Sequence, residues 1–350
     1  MTLQGLEGRS VVVTGGTGSL GQVLVRRLLS GELGMPAQVV VFSRDEAKQH
    51  AMRLSFTHRQ SATDEVVYEQ LEQRLRFHLG DVADYAAVCS VLRSADVVFH
   101  AAALKQVPSC ELQPFQAVRT NILGAENIVR AIRDLRLPVG AVVGASTDKA
   151  CKPVNVMGMT KAVQERILAQ ANVDCPGTRF VLARYGNVLA SRGSVVPLFH
   201  AQIAAGGPVT LTTPDMTRFL LSLDVAVDTL FTAFREACPG ETYVPKVASA
   251  RIADIAQALI GDRAIEMVEI GARPGEKRHE VLISEEEGLR ATDHGGHYVI
   301  APLLPALRDA PPAIGDAREY SSRDGTLTPP EVATLLAGHG LLVEDAPVFA

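Results

Sequence analysis

Tryptophan is absent from this chain, and all aromatic residues together make up 5% of it. A core with few large rings must be built from aliphatic side chains, and the 47% hydrophobic content supplies them. That balance suits a parallel sheet buried on both faces by helices. Cysteine is scarce: Cys89, Cys110, Cys151, Cys175 and Cys238 lie far apart, odd in number and without a Cys-x-x-Cys pair. This argues against a disulfide framework and against a cysteine-rich metal centre, so no metal is expected. No long basic run occurs and the formal net charge is −5. Nucleic acid is therefore not the expected partner, and an anionic ligand would be held by a few local Arg and Lys side chains. No apolar stretch reaches the roughly 18 residues that cross a bilayer. The opening MTLQGLEGRS lacks the charged-then-apolar layout of a signal peptide. The expectation is a reduced, cytoplasmic protein with no membrane insertion.

The 350 residues are enough for a dinucleotide-binding domain and a smaller lobe. Short β-branched runs at Ser10–Thr14, Gln38–Phe42, Leu75–Leu79, Asp96–His100 and Val139–Val143 read as strands. Helical patterns lie between the later ones. The β-α-β-α repeat predicts an α/β fold: a Rossmann-type doubly wound parallel sheet, with ligands at the carboxyl ends of its strands. Residues from about 45 to 74 read as a helix and a solvated insertion. After about 190 Gly and Pro become frequent, which predicts a division into a Rossmann domain, 1–190, and a smaller C-terminal substrate-binding lobe, 191–350. The tail from about 285, including Pro302 to Pro312, reads least clearly.

Thr14-Gly15-Gly16-Thr17-Gly18-Ser19-Leu20-Gly21 joins the first strand to a helix. Glycines there permit a tight turn and close approach of a pyrophosphate to the backbone, and a helix amino terminus offers N–H groups to it. Where an NAD enzyme usually carries an acid after the second strand, this chain has Ser43 and Arg44, which suit the 2′-phosphate of NADP. Asp45 and Glu46 follow at once and would be the acid if the strand ran two residues further. Asp81 is expected at the adenine edge, and Ala101, Ala102 and Ala103 where small residues let the dinucleotide reach the backbone.

Thr147 is followed ten residues later by Met157-Gly158-Met159-Thr160-Lys161. The frame is similar to that of short-chain dehydrogenases, where a Ser or Thr precedes Tyr-x-x-x-Lys on one helix face. Here methionine stands in the tyrosine position, and methionine cannot exchange a proton. Asp148 and Lys149, directly after Thr147, supply other chemistry: a carboxylic acid can protonate a departing hydroxyl, and a desolvated amine can remove a proton beside a ketone.

Taken together the chain resembles the UDP-N-acetylglucosamine 4,6-dehydratases of bacterial polysaccharide and flagellin-glycan pathways, most of all the 5-inverting branch that serves capsule synthesis. The resemblance rests on TGGTGSLG (14–21), FSRDEAKQ (42–49), GDVAD (80–84), FHAAALKQVPSCE (99–111), TNILGAENI (120–128), STDKA (146–150), NVMGMTKA (155–162), RYGNVLASRGSVVPLF (184–199), PDMTRFLLSL (214–223) and GEKRHEVL (275–282). It implies an extended short-chain dehydrogenase/reductase whose Met157 is a family feature. The implied reaction oxidises carbon 4 of the sugar, removes the carbon 5 proton through Lys149 while Asp148 protonates the carbon 6 hydroxyl, and reduces carbon 6. Thr147 and Lys161 would orient the substrate and nicotinamide ribose. Asp148, or Lys161 through water, would take the carbon 4 hydroxyl proton. Lys48 and Val82 join the implied cofactor contacts. Lys105, Asn187, Val195, Arg218, Arg273 and Glu276 are the implied substrate contacts, with UDP-N-acetylglucosamine as the expected partner. The resemblance also implies a homo-oligomer, often a hexamer, aided by a C-terminal latch. In that region only Tyr320-Ser321-Ser322 and Leu327-Thr328 match. Two further readings stay open: an epimerase or dehydratase of another nucleotide-sugar, and a non-catalytic NADP-binding regulator.

Overall fold

Alternation of side chains along a strand decides which residues meet which helices. In the first strand, β1 (Ser10–Thr14), Val11 and Val13 enter one apolar core and Val12 enters another on the opposite face of the sheet. The computed structural model describes residues 5–57, 74–189, 194–272, 274–308 and 318–343. Its strands are β1, β2 (Gln38–Ser43), β3 (Leu75–Leu79), β4 (Val97–His100), β5 (Ala141–Thr147), β6 (Arg179–Tyr185), β7 (Val209–Leu211), β8 (Thr217–Phe219), β9 (Thr242–Pro245), β10 (Ser249–Arg251), β11 (Met267–Glu269), β12 (Val281–Ile283), β13 (Ala291–Asp293), β14 (His297–Ile300) and β15 (Tyr320–Ser321). The helices are α1 (Ser19–Leu29), α2 (Glu46–Thr57), α3 (Tyr85–Leu92), α4 (Val107–Leu112), α5 (Pro114–Ala117), α6 (Gly124–Leu135), α7 (Val156–Asp174), α8 (Val195–Ala204), α9 (Leu223–Glu236), α10 (Ile252–Ile260), α11 (Glu285–Gly288) and α12 (Pro329–Gly338).

Nine strands form the central sheet in the order β13-β14-β9-β6-β5-β4-β1-β2-β3. From β3 to β9 neighbouring strands are parallel, and β14 and β13 close the edge as an antiparallel pair. This is the expected Rossmann-type sheet. The strand order reverses between β1 and β4, and ligands in such sheets bind at that crevice. Helices α1 and α9 cover one face and α3, α6 and α7 the other. The scarce rings go inside: Phe42, Phe99, Phe180, Phe199, Phe219 and Phe234 are all less than 2% exposed.

The division expected at residue 190 is interleaved rather than sequential. Helix α9 packs on the sheet, and β9, β13 and β14 extend it. A separate apolar core joins α8, α10 and α12 through Val196, Phe199, Ile255, Leu259, Val332 and Leu336. Three strands also differ from expectation at their ends, β4 starting at Val97 and not at Asp96. β2 includes Ser43, and β5 runs from Ala141 to Thr147, because its register with β6 holds to Thr147↔Tyr185. The insertion expected near 45–74 begins as α2, and residues 58–73 lie outside the described residues. Among the described residues, no helix is long and apolar enough to cross a membrane.

A buried ion cluster ties the sheet to the later chain. Arg184 of β6 donates to Glu165 of α7 at 2.6 and 2.9 Å, to Glu287 of α11 at 2.8 Å, and to the carbonyl of Leu282 in β12 at 2.9 Å. Burial alone would raise the Glu287 carboxyl, but Arg184 outweighs it and brings the group down to about 2. A depressed carboxyl contributes stability that is complete above its unfolded value and is lost as pH falls towards the folded one. Stability should therefore decline as pH drops from about 4.5 towards 2. Arg184→Ala should strand two buried carboxylates and cost about 3–5 kcal/mol. Chemical denaturation checks this, and a loss below 1 kcal/mol would contradict the clamp.

Candidate active site

The turn after β1 is shaped by glycine. Gly15 has φ +69°, and a Cβ there would lie 2.8 Å from the backbone of Ala102. A Cβ on Gly21 would meet the Gly15 carbonyl oxygen at 2.5 Å, so α1 packs against the turn only without one. Gly18 begins α1 with extended backbone and no side-chain cap, leaving the helix amino terminus for a ligand. Thr14 Oγ1 pairs with His100 Nδ1 at 2.8 Å and accepts from the Ala102 N–H at 3.3 Å, joining the turn to Ala101, Ala102 and Ala103. His100 is buried, which lowers its pKa to about 3 and keeps the ring neutral. Thr17, Ser19 and Leu20 lie in this turn and the first residues of α1. The glycine cradle and uncapped helix fit a dinucleotide.

At the neighbouring strand ends, Arg44 pairs with Asp81 at 3.5 Å, with both side chains well exposed. Ser43 is buried and its hydroxyl accepts from Gln49 at 3.0 Å. Asp45 is engaged by the start of α2, accepting from the Lys48 N–H at 3.0 Å and pairing with Lys48 Nζ at 2.7 Å. Of the two acids that sequence left as alternatives, Asp45 is thus used locally, while Glu46 in the first turn of α2 is exposed, as is Arg44. Val82 is buried against Gly124, where a Cβ would come within 2.8 Å of it.

Asp148 lies where β5 ends and is 0% exposed. Its Oδ1 accepts from Thr147 Oγ1 at 2.9 Å and Lys149 Nζ at 3.1 Å, while Oδ2 has no partner. Gly186 makes room for it: a Cβ there would sit 3.4 Å from Oδ2 and 2.6 Å from Phe219. Lys149 also reaches Asn187 Oδ1 at 3.5 Å and Glu280 Oε1 at 3.4 Å. Burial lowers the amine's pKa, but Asp148 and Glu280 outweigh it and hold the group above the ordinary lysine value. The resting site therefore carries an ammonium ion beside two carboxylates. The free amine expected from desolvation alone is not the resting form.

Helix α7 is brought close by its sequence. Asn155 caps it, accepting from the Gly158 N–H at 2.8 Å, and donates to the Gly275 carbonyl at 2.7 Å. Gly158 is required because a Cβ would lie 2.2 Å from the Lys149 carbonyl oxygen. Met157 is buried in an apolar cluster with Cys110 and Ala117. Lys161 Nζ bonds the Ala145 carbonyl and Gln164 Oε1, each at 2.7 Å, and burial lowers it to about 8.

Of the expected substrate contacts, Asn187 and Arg218 join this pair; Arg218 lies 3.8 Å from Glu280. Glu276 is half-buried with its Oε2 unpartnered. Lys105 is exposed after β4, and Val195 begins α8 against the smaller core. Arg273 lies outside the described residues. Sequence reasoning missed Glu280 and Lys277. Both sit in the GEKRHEVL stretch, where Lys277 Nζ reaches the Asp148 carbonyl at 3.3 Å. The signal was the run of charge leading into the apolar β12.

The parallel sheet, the glycine turn after β1 and the Thr147-Asp148-Lys149 strand end followed by a helix bearing Lys161 define an extended short-chain dehydrogenase/reductase. Residues 11–302 match the family described as polysaccharide biosynthesis protein, and the chain belongs to it. It is similar to a UDP-glucose 4-epimerase of Rickettsia typhi, 42% identical over 299 residues, covering 83% of this chain and 82% of the relative. It is also similar in structure to Pen from Bacillus thuringiensis, with TM-score 0.84 and 32% identity over 96% of this chain and 99% of that one. DesIV, a dTDP-glucose 4,6-dehydratase from Streptomyces venezuelae with NAD and TYD bound, shares the fold at TM-score 0.63 and 21% identity, covering 77% and 86% of the two chains. The protein is thus an enzyme of the nucleotide-sugar epimerase and dehydratase group.

Removing one partner of a buried pair leaves the other charge uncompensated. Lys149→Ala should cost about 3 kcal/mol or more by stranding Asp148, and adding Asp148→Asn should recover part of that. Equal stability of the single and double variants in thermal melts would contradict the pairing.

Proposed function

We propose that the protein is a 4,6-dehydratase of a UDP-linked sugar, UDP-N-acetylglucosamine first among them, working with NADP. The observation that carries this is the buried Asp148–Lys149 pair, 3.1 Å apart at the end of β5. Epimerisation at carbon 4 needs oxidation and reduction of one alcohol. Elimination of water needs an acid and a base together, and this pair provides both. Nicotinamide, when bound, supplies hydride acceptance at carbon 4 and hydride return at carbon 6.

The pair holds one proton between two groups. Transfer of that proton from Lys149 Nζ to Asp148 leaves a neutral amine and a carboxylic acid. The amine takes the carbon 5 proton, made acidic by the 4-ketone. The C–H electrons form the double bond to carbon 6 as the C–O bond breaks, and Asp148 gives its proton to the leaving hydroxyl, which departs as water. The pair ends as ammonium and carboxylate, as it began. Lys149 stands on the face it deprotonates, so a proton delivered from water on the opposite face of carbon 5 inverts that centre. Thr147 orients the pair through its bond to Asp148, and Lys161 steadies the nicotinamide ribose. Lys161 through water handles the carbon 4 hydroxyl proton, because Asp148 taking it would leave the pair with two protons and no base for carbon 5.

Gly15, Thr17, Gly18, Ser19, Leu20 and Gly21 would hold the cofactor diphosphate, with Asp81, Val82 and Ala101 to Ala103 along the adenosine. Ser43, Arg44 and Lys48 suit the 2′-phosphate. Arg218, Glu276, Asn187, Lys105, Val195 and Arg273 are assigned to the nucleotide-sugar, with the core of α8, α10 and α12 as the substrate lobe. Exposed Leu112 and Phe115, at 83% and 66%, support a homo-oligomer.

The names of the curated relatives favour a second reading, 4-epimerisation. Product mass separates the two. Incubation with UDP-N-acetylglucosamine should give a product lighter by one water, whereas an unchanged mass with an altered carbon 4 supports the epimerase. Lys149→Met should lower dehydration by about 10²–10⁴-fold while transient absorbance of reduced cofactor persists. Full turnover in that variant removes Lys149 from the base role. Arg44→Ala should weaken NADP by about tenfold, or about 1.4 kcal/mol, and leave NAD unaffected. Calorimetry checks this, and equal losses for both cofactors would contradict the 2′-phosphate contact.

A further inference from the structure

We propose that Glu280 is a positioning residue of the reaction: its buried carboxylate holds the Lys149 amine against Asp148 and supplies the second negative charge that the pair experiences. The inference rests on the reading of Asp148 and Lys149 as the acid–base pair and adds a group outside it.

The geometry is fixed from several sides. Glu280 is 2% exposed and stands immediately before β12, which pairs with β15. Its N–H donates to Ser322 Oγ at 2.9 Å, and its carbonyl accepts from the Ser322 N–H at 2.8 Å. Ser322 Oγ also meets Thr217 Oγ1 at 2.7 Å, so one hydroxyl braces the Glu280 backbone and β8 together. The Glu280 side chain thus leaves a rigid support. Its Oε1 lies 3.4 Å from Lys149 Nζ and 3.8 Å from Arg218 Nε, and its Oε2 lies 3.8 Å from Lys277 Nζ with no hydrogen-bond partner.

The groups that face this cluster are Asp148, Lys149 and Cys151 from the turn after β5, Arg218 from β8, and Lys277 and His279 from the irregular segment leading to β12. Three cations, Lys149, Lys277 and Arg218, meet two carboxylates, Asp148 and Glu280. With Glu280 neutral, the three would face one carboxylate: Lys149 would lose one of the two countercharges that hold its proton, and Lys277, whose amine burial already lowers, would lose its own. Glu280 therefore keeps the resting pair charged and its amine anchored at two points, 3.1 Å from Asp148 and 3.4 Å from Glu280. A residue that merely filled space would not alter the titration of its neighbour, and one that only stabilised the fold would leave kcat of the folded variant unchanged.

The test uses the full-length protein with its lysines carbon-13 labelled, comparing wild type, Glu280→Gln and Glu280→Asp. Lys149 is assigned by its absence in Lys149→Met and titrated by NMR, and pH–rate profiles are measured in parallel. Glu280→Gln should move the Lys149 titration, and the alkaline limb of the rate profile with it, down by about one pH unit or more. It should lower kcat by about 10²-fold through misplacement of the amine. Glu280→Asp, which keeps the charge but shortens the reach, should keep the titration near wild type with a smaller loss of kcat. An unchanged Lys149 titration in Glu280→Gln overturns the proposal. A shifted titration in a wild-type background that dehydrates no nucleotide-sugar supports the placement of Glu280 and overturns the dehydratase reading instead, so the two failures are told apart.

Discussion

A carboxylate that water cannot reach has to be met by positive charge and hydrogen bonds, or its burial costs several kcal/mol. Asp148 is such a group, and much of the local architecture follows from accommodating it. Thr147 and Lys149 answer one of its oxygens from the adjoining residues. Lys149 then meets more negative charge than Asp148 alone provides, and Glu280 is brought from far along the chain to supply it. Glu280 in turn is balanced by Arg218 and Lys277. The site is a sequence of charge compensation whose members come from three places, the turn after β5, β8 and the segment before β12.

Backbone shape makes that compensation possible. β5 ends at the sheet's carboxyl edge, where parallel sheets of this order gather their ligands. Glycines remove steric obstacles on both sides: Gly186 for the Asp148 carboxylate, Gly158 for the approach of α7 to the Lys149 carbonyl. Away from the chemistry, the Arg184 clamp does for α7, β6 and α11 what the Lys149 cluster does for the site, and it also holds the Leu282 carbonyl two residues beyond Glu280. Two buried ion clusters therefore fix the two ends of the same short segment, one structural and one chemical.

The first half of this design was readable from the chain. Runs such as Val11-Val12-Val13 and Val39-Val40-Val41 combine β-branching with a glycine or serine stop, and the glycine turn has one plausible use between a strand and a helix. The Asp148–Lys149 pair was readable because it follows an apolar strand directly. What was not readable is long-range. β9, β13 and β14 are three or four residues each and include Pro245 and Asp293, so no local pattern announces that they extend the main sheet. Glu280 and Lys277 were not singled out within GEKRHEVL, where only Glu276 was. Only the pairing of β12 with β15 and the Ser322 brace turn them inward. The charge state of Lys149 was likewise beyond local reading, because it depends on a carboxylate remote in sequence.

The fold and family accommodate both epimerisation and dehydration, so the chemistry of carbon 5 is where the account is most exposed. An acid–base pair that removes and replaces the carbon 5 proton must exchange it with solvent, whereas oxidation and reduction at carbon 4 leave it in place. The deciding measurement is the proton spectrum of the product formed from UDP-N-acetylglucosamine in deuterated water. The account predicts deuterium at carbon 5 of a 6-deoxy-4-keto sugar, with ring couplings that report inversion at that centre. A product with its original proton at carbon 5 and its carbon 6 hydroxyl intact would contradict it.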